Sequence, residues 1–364
     1  MNFASDNTTG VAPEIIDAIQ AANTSSAAPY GADAISQGLE RRFAEIFEHE
    51  VAVFPVATGT AANALALAAL TPPWGAIFCH EDAHIATDEC GAPEFFSAGA
   101  KLVTLPGAHG KLRPERVDEQ CVSAGIVHNV QPAALSITQQ TEAGTVYNAE
   151  EIAALGALAR RHAIGLHMDG ARFANAVAGL GCAPAAMTWQ AGVDVLSFGA
   201  TKNGALAAEA VVFFDSAKAA AFGFRRKRAG HLLSKMRFIT AQLDAYLRDD
   251  LWLRNARHAN AMAARLGAGL ARLPGAKLLH PVEGNEVFVA LPETVIAGLG
   301  AAGFGFYRWG KTPVLRLVTA FDTEPTDIDK LLATAASLSP AATPLGMQRR
   351  GSTDFKHELA LQMA

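Results

Sequence analysis

Cysteine is scarce and unpaired. Cys79, Cys90, Cys121 and Cys182 are scattered over 364 residues with no Cys-x-x-Cys spacing. This gives no zinc signature and suits a chain kept reduced in a cytoplasm. Positive charge is also short: 30 lysines and arginines face 35 aspartates and glutamates, a net charge of -5. That balance argues against a protein built to grip a nucleic-acid backbone. The one dense basic run is Arg225, Arg226, Lys227 and Arg228, with Lys235 and Arg237 following. No apolar stretch reaches membrane-spanning length without charged or polar breaks, and the first 21 residues lack the basic start and apolar run of a signal peptide. Internal repeats and low-complexity blocks are missing too. With 50% hydrophobic and 18% charged residues, the composition is that of a folded globular protein. The length suits one large domain and one smaller one.

What is present is a regular alternation. Short apolar runs at 51–56, 76–80, 101–105, 133–138, 164–168 and 193–198 read as buried strands. Between them, 61–70, 115–124 and 150–161 read as helices, and a helix starting at Pro13, with Ile15, Ile16 and Ile19 as a short apolar stripe, and another over 35–48 precede the first strand. Alternation of this kind from 51 to 214 predicts a mostly parallel sheet covered on both faces, with ligands at the carboxyl ends of its strands. From residue 222 the pattern changes. Long helices are expected over 225–248 and 253–273, short strands over 277–279, 286–291, 304–309 and 314–318, and helices over 292–300 and 326–337. This is an α+β module with antiparallel strands.

Four polar groups fall at or just past predicted strand ends. Lys202 follows a buried strand within Gly199-Ala200-Thr201-Lys202, where desolvation favours a neutral, nucleophilic amine. Thr58-Gly59-Thr60 opens a helix of alanine and leucine, whose free N–H groups favour a phosphate. Asp169 ends a third strand, with Arg172 close by as a candidate counter-ion, and His84 lies beyond a fourth. Alone, each has a plain reading: a loop lysine, a threonine cap, a paired carboxylate, a loop histidine. Their convergence on one sheet edge favours a site. His80, Asp82, His84, Asp88 and Glu89 match no established metal-ligand spacing, so no metal is expected.

The stretches TGTAANALAL (58–67), LHMDGARFANAV (166–177), LSFGATKNG (196–204) and VLRLVT (314–319) resemble the threonine aldolases, in order and over about nine tenths of the chain. The low-specificity L-threonine and phenylserine aldolases look closest. The resemblance implies the α/β fold of aspartate aminotransferase (fold type I), with a mostly parallel central sheet and a smaller C-terminal α+β domain. It suggests a large cofactor-binding domain with an N-terminal arm over 1–250, a small domain over 251–340 and a peripheral tail over 341–364. The implied cofactor is pyridoxal 5'-phosphate, with Lys202 as its Schiff-base lysine and Asp169 at the ring nitrogen. Thr58, Gly59 and Thr60 would lie at the phosphate, His84 would stack on the ring, and Arg172 would contact cofactor and substrate. Ser5 and Arg316 would hold the substrate carboxylate, a task suited to guanidinium. Arg228 is the candidate for reaching the phosphate from a partner subunit, since the resemblance implies a homodimer or homotetramer with shared sites. His84 is the expected general base, because histidine titrates near neutral pH. The implied reaction cleaves a β-hydroxy-α-amino acid to glycine and an aldehyde. The alternatives are a β-eliminating lyase or transaminase of the same fold, or a non-catalytic cofactor-binding regulatory domain. The chain departs from many members at 229–236 (AGHLLSKM) and 319–323 (TAFDT), which bear on subunit contacts and substrate preference.

Overall fold

The computed structural model describes residues 1–310 and 313–339. The segment read as a peripheral tail, 341–364, lies outside the described residues. Seven strands form the main sheet: β1 (Ala52–Val56), β2 (Gly75–His80), β3 (Lys101–Leu105), β4 (Gln131–Thr138), β5 (Gly165–Gly170), β6 (Val195–Gly199) and β7 (Glu209–Phe213). Their order is β1-β7-β6-β5-β4-β2-β3, and β7 alone runs antiparallel to both its neighbours. Every residue of β2, β5, β6 and β7 is buried, as expected of strands covered on both faces.

Side-chain alternation decides what each face carries. On one face Leu196 and Phe198 of β6 join Leu166 and Met168 of β5 in the main core. There the ring of Phe198 lies 5.1 Å from Phe43 and 5.9 Å from Trp252, which fixes the end of β6. On the other face lies the helix Gly59–Leu70, apolar on nearly every side past its first turns and largely buried. His167, Asp169 and Ser197 point to this second face, and parallel register sets Thr138 beside Asp169 and Asp169 beside Ser197. Because β7 is antiparallel, its first residue, Glu209, pairs with Gly199 and arrives at the same edge as the last residues of the parallel strands.

A second sheet contains β8 (Lys277–Leu278), β9 (Glu286–Ala290), β10 (Tyr307–Arg308) and β11 (Val314–Val318), ordered β10-β11-β9-β8 and antiparallel throughout. The helix Leu251–Leu270 spans both cores, with Trp252 and Ala256 in the main one and Ala263, Leu266 and Leu270 in the second. The N-terminal arm joins them as well: Phe3 sits in the second core, its N–H donates to the carbonyl of Gly305, and its carbonyl accepts from Val318 N–H.

Three expectations need correction. The continuous helix over 225–248 is two helices, Phe222–Arg228 and Arg237–Leu247. Gly230, at φ +80°, takes the left-handed conformation that ends helices. The basic run thus occupies a helix C-terminus, where cations complement the free carbonyls, and not a helix start. The helix over 115–124 is the shorter Pro114–Asp118 followed by a single tighter turn, Cys121–Ser123. The strand over 304–309 contracts to Tyr307–Arg308 between Gly305 and Gly310.

Candidate active site

A cavity of about 260 Å³ opens at the carboxyl-terminal edge of the main sheet. Lys202 lines it from the turn that follows β6, and this turn is pinned on both sides. Ala200 N–H donates to Glu209 Oε2 at 3.0 Å, and Thr201 Oγ1 accepts from Ala208 N–H at 3.2 Å. Asn203 is buried, and its Nδ2 donates to the Tyr246 hydroxyl at 2.6 Å and the Trp252 carbonyl at 2.8 Å. Gly204 then turns the chain at φ +115°, a conformation that disfavours a side chain. The lysine is half-buried on a turn with little freedom to move.

Asp169 is 4% exposed and forms part of the lining. Its Oδ1 accepts from Ala171 N–H at 3.0 Å and its Oδ2 from Asn63 Nδ2 at 2.8 Å. The same Asn63 nitrogen donates its second proton to Glu89 Oε1 at 2.8 Å, so one amide bridges two buried carboxylates. Glu89 Oε1 also lies 2.9 Å from His84 Nδ1. That hydrogen bond raises the His84 pKa above its ordinary value, while burial raises that of Glu89. Behind Asp169, Ser136 Oγ lies 2.8 Å from His167 Nδ1, and His167 Nε2 lies 2.9 Å from Ser197 Oγ. Burial pushes His167 down to about 4, so its ring is neutral at physiological pH.

The opposite end of the cavity is a helix start. Thr58 caps the helix Gly59–Leu70, its hydroxyl accepting from Ala61 N–H at 3.2 Å. The amides of Gly59 and Thr60 are left free for an anion. A Cβ on Gly59 would project into open space, so the backbone there is accessible to a ligand.

Of the residues singled out from sequence, Thr58, Gly59, Thr60, His84, Asp169, Arg172 and Lys202 line this cavity, whereas Ser5, Arg228 and Arg316 do not. Arg172 is not paired with Asp169. Its Nε and Nη2 donate to Asp6 at 2.7 and 3.0 Å, and its Nη1 lies 3.5 Å from Glu286 Oε2. Burial works against its charge, but Asp6 and Glu286 hold its pKa above the usual value. Asn63, not Arg172, is the partner of Asp169. Arg316 stands behind Glu286, its Nε and Nη2 donating to Glu286 Oε1 at 2.9 and 2.6 Å. Ser5 Oγ accepts from Asn7 N–H at 3.1 Å, and it is Asn7 that reaches the cavity. Arg228 borders a separate cavity with Leu65, Phe96 and Phe224.

Sequence reading missed Asn63, Gln140, Glu142, Ser197 and Glu209, all of which line the cavity, and met Glu89 only as a discarded metal ligand. Two of them carried a signal. Asn63 is the one polar residue in the run 61–70, and Glu209 the one charged residue in 203–214. Burial pushes both Glu142 and Glu209 up to about 7.

An amine on a rigid turn, a carboxylate fixed across from it and a free helix N-terminus match the aldehyde, ring nitrogen and phosphate of pyridoxal phosphate. The buried oxygens Asn63 Oδ1, Glu89 Oε2 and Gln140 Oε1 have no partner among the described residues, which suits a site completed by a polar ligand. Fold and site together define a pyridoxal-phosphate enzyme of the aspartate-aminotransferase fold. The threonine aldolase of Leishmania major superposes with a TM-score of 0.87 at 30% identity, covering 93% of this chain and 99% of that one. Aspartate aminotransferase from Thermus thermophilus shares the fold at a TM-score of 0.69 and 16% identity, covering 93% and 91% of the two chains. The chain belongs to the β-eliminating lyase family, whose model matches residues 2–294. It is therefore a pyridoxal-phosphate-dependent lyase. Among its relatives, the low specificity L-threonine aldolase of a Pseudomonas species is 43% identical over 331 residues, 91% of this chain and 96% of the relative. That of Pseudomonas aeruginosa is 45% identical over 322 residues, 88% and 93% of the two chains. No helix among the described residues is long and apolar enough to cross a membrane.

Proposed function

We propose that this enzyme is an aldolase that cleaves L-threonine, L-allo-threonine and related β-hydroxy-α-amino acids, phenylserine among them, to glycine and an aldehyde. The observation that carries the reading is Lys202 on its pinned turn, facing a cavity in which Asp169 is held by Asn63 and the helix amides of Gly59 and Thr60 are free. The two Pseudomonas relatives support the substrate class. When bound, the cofactor's electron-poor ring accepts the electron pair released as a bond to Cα breaks.

Each residue then has a physical task. The Gly59 and Thr60 amides, with Thr58, bind the phosphate. Asp169, oriented by Asn63 and Ala171, keeps a proton on the ring nitrogen. His84 covers the ring face, its own ring held by Glu89. Lys202 holds the cofactor at rest and yields to the substrate amine. Arg172, on the cavity wall, orients the substrate carboxylate, and Arg316 and Ser5, which stand outside the cavity, turn toward it to share that task, so that the bond to be broken stands perpendicular to the ring; such positioning lowers the barrier by several kcal/mol. The large domain over 1–250 supplies the cofactor contacts, and the small domain over 251–340 supplies Arg316. The same reading makes the enzyme cytoplasmic, with four free cysteines in keeping, and a homo-oligomer in which the partner's Arg228 reaches the phosphate.

Product analysis with L-threonine is the test. Glycine and acetaldehyde in equal amounts are expected. A keto acid, with or without ammonia, would instead assign the enzyme to β-elimination or transamination on the same fold.

A further inference from the structure

One carboxylate on the cavity wall has no task in this scheme. Glu142 lies in the loop after β4, closed by Thr141 N–H donating to the Thr145 carbonyl at 2.9 Å and Gly144 N–H to that of Thr141 at 2.9 Å. Thr145 Oγ1 donates to the His109 carbonyl at 2.7 Å. A Cβ on Gly144 would come within 3.0 Å of Glu286, so the loop is seated directly on that side chain. Its position is therefore fixed by backbone. Glu142 Oε1 accepts from His84 N–H at 3.2 Å, Oε2 takes no hydrogen bond among the described residues, and the residue lines the cavity.

The groups around it come from every element that packs there. They are Asp169 at the end of β5, Lys202 after β6, Arg172 before the next helix and Glu286 on β9, with His84 adjoining. Burial and Asp169 raise the carboxyl to about 7, with Lys202 and Arg172 opposing, which suits a group that must take up and release a proton near neutrality. His84 is worse placed for that task. Its Nδ1 is committed to Glu89, which favours the protonated ring over the neutral one a base needs.

We propose that Glu142, and not His84, takes the proton from the substrate's β-hydroxyl. This rests on the aldolase reading above. The carboxylate removes the hydroxyl proton, and the O–H electron pair becomes the second carbon–oxygen bond of the departing aldehyde. The Cα–Cβ bond breaks and leaves its pair on Cα, stabilised by the cofactor ring. A proton delivered to Cα gives glycine, and release of the proton from Glu142 to solvent restores the carboxylate.

The test compares Glu142→Gln, Glu142→Asp and His84→Gln holoenzymes in two reactions. One is cleavage of L-threonine. The other is exchange of the glycine α-hydrogen in D2O, which has no hydroxyl to deprotonate. Glu142→Gln should cleave L-threonine about 10²–10⁴-fold more slowly, the usual contribution of a general base, and Glu142→Asp should recover part of that loss. Glycine exchange in Glu142→Gln should stay within about threefold of wild type, as should cofactor dissociation on dilution, because both bypass the missing step. The acid limb of the kcat/KM profile should disappear in Glu142→Gln and persist in His84→Gln. Cleavage by Glu142→Gln at near wild-type rate, or parallel loss of exchange and cleavage, would overturn the assignment. So would disappearance of the limb only in His84→Gln, which would give the proton to His84. A wild-type enzyme that forms no glycine from L-threonine would instead remove the aldolase reading, whatever the variants do.

Discussion

Replacing Asn63 with alanine removes the single amide that separates Asp169 from Glu89. Both of its protons are spent on carboxylates, at 2.8 Å each, in a site where all three side chains are nearly inaccessible. A hydrogen bond to a charged group contributes about 1.5–3 kcal/mol, so the gross loss is about 3–6 kcal/mol. Alanine returns at most about 0.7 kcal/mol in helix propensity. Water entering the vacated space, and protonation of Glu89, should return somewhat more, leaving a net loss of about 3 kcal/mol at pH 8. With an unfolding entropy of about 2.1 cal/mol/K per residue over 364 residues, this corresponds to a fall in Tm of roughly 4 °C. The loss should depend on pH in a defined direction. Burial already raises the Glu89 pKa, and removing a donor raises it further, so the variant's folded state holds its proton to higher pH than the wild type does. The destabilisation therefore grows as pH rises through that interval and shrinks below it. Calorimetry of both holoenzymes at pH 5.5 and pH 8 reads this out, and cofactor affinity should fall at least about tenfold because Asp169 keeps only the Ala171 amide. A Tm change under about 1 °C at pH 8, or the same change at both pH values, would refute the reasoning.

Borohydride reduction of the holoenzyme should fix the cofactor to Lys202, and peptide mapping that finds the label on another lysine would remove it from the centre of the site. Arg316→Lys should keep the visible cofactor absorption but lose about 1.5–3.5 decades of kcat/KM with L-threonine, the effect of about 2–5 kcal/mol for a charge-assisted pair. Wild-type kinetics in that variant would mean that another residue binds the carboxylate. His167 should make the enzyme acid-sensitive: burial holds its folded pKa at about 4, against 6.5 when free. The unfolded chain takes up the proton first, so stability falls as pH drops from 6.5 to 4, by about 3 kcal/mol in all. His167→Gln, which retains a donor and an acceptor, should flatten that limb in a comparison of Tm against pH, and an unchanged limb would count against the assignment.

The parts of the site that sequence disclosed are those fixed by local rules. Lys202, Asp169 and Thr58 each sit where a periodic segment changes type, and strand ends and helix starts are visible in composition. The parts it hid depend on approach from elsewhere in the chain. Asn63 reads as a blemish in an alanine helix until that helix is laid across β5. Glu209 reaches the site only because β7 runs antiparallel, and strand direction is set by pairing, not by the strand's own residues. The partner of Arg172 was out of reach for the same reason, since Asp6 lies 166 residues away. The break at Gly230 was legible in principle, but four basic residues obscured it by resembling an exposed helix face.

The N-terminal arm has a consequence for the order of events in the cell. Phe3 is tied to Gly305 and Val318, and Asp6, three residues on, neutralises the buried Arg172 at the cavity wall. The chain is made from the N-terminus, yet Phe3 lacks its Val318 partner until β11 is synthesised, 315 residues later. At about 5–20 residues per second, that is a wait of roughly 15–60 s. Asp6 and Arg172 are present early, but Glu286 and its partner Arg316 are made late, so the cavity wall takes its final charge balance only once nearly the whole chain has emerged. A ribosome stalled before β11 would thus hold a nascent chain that already contains Lys202 and Asp169 but lacks the Arg316 that pairs with Glu286.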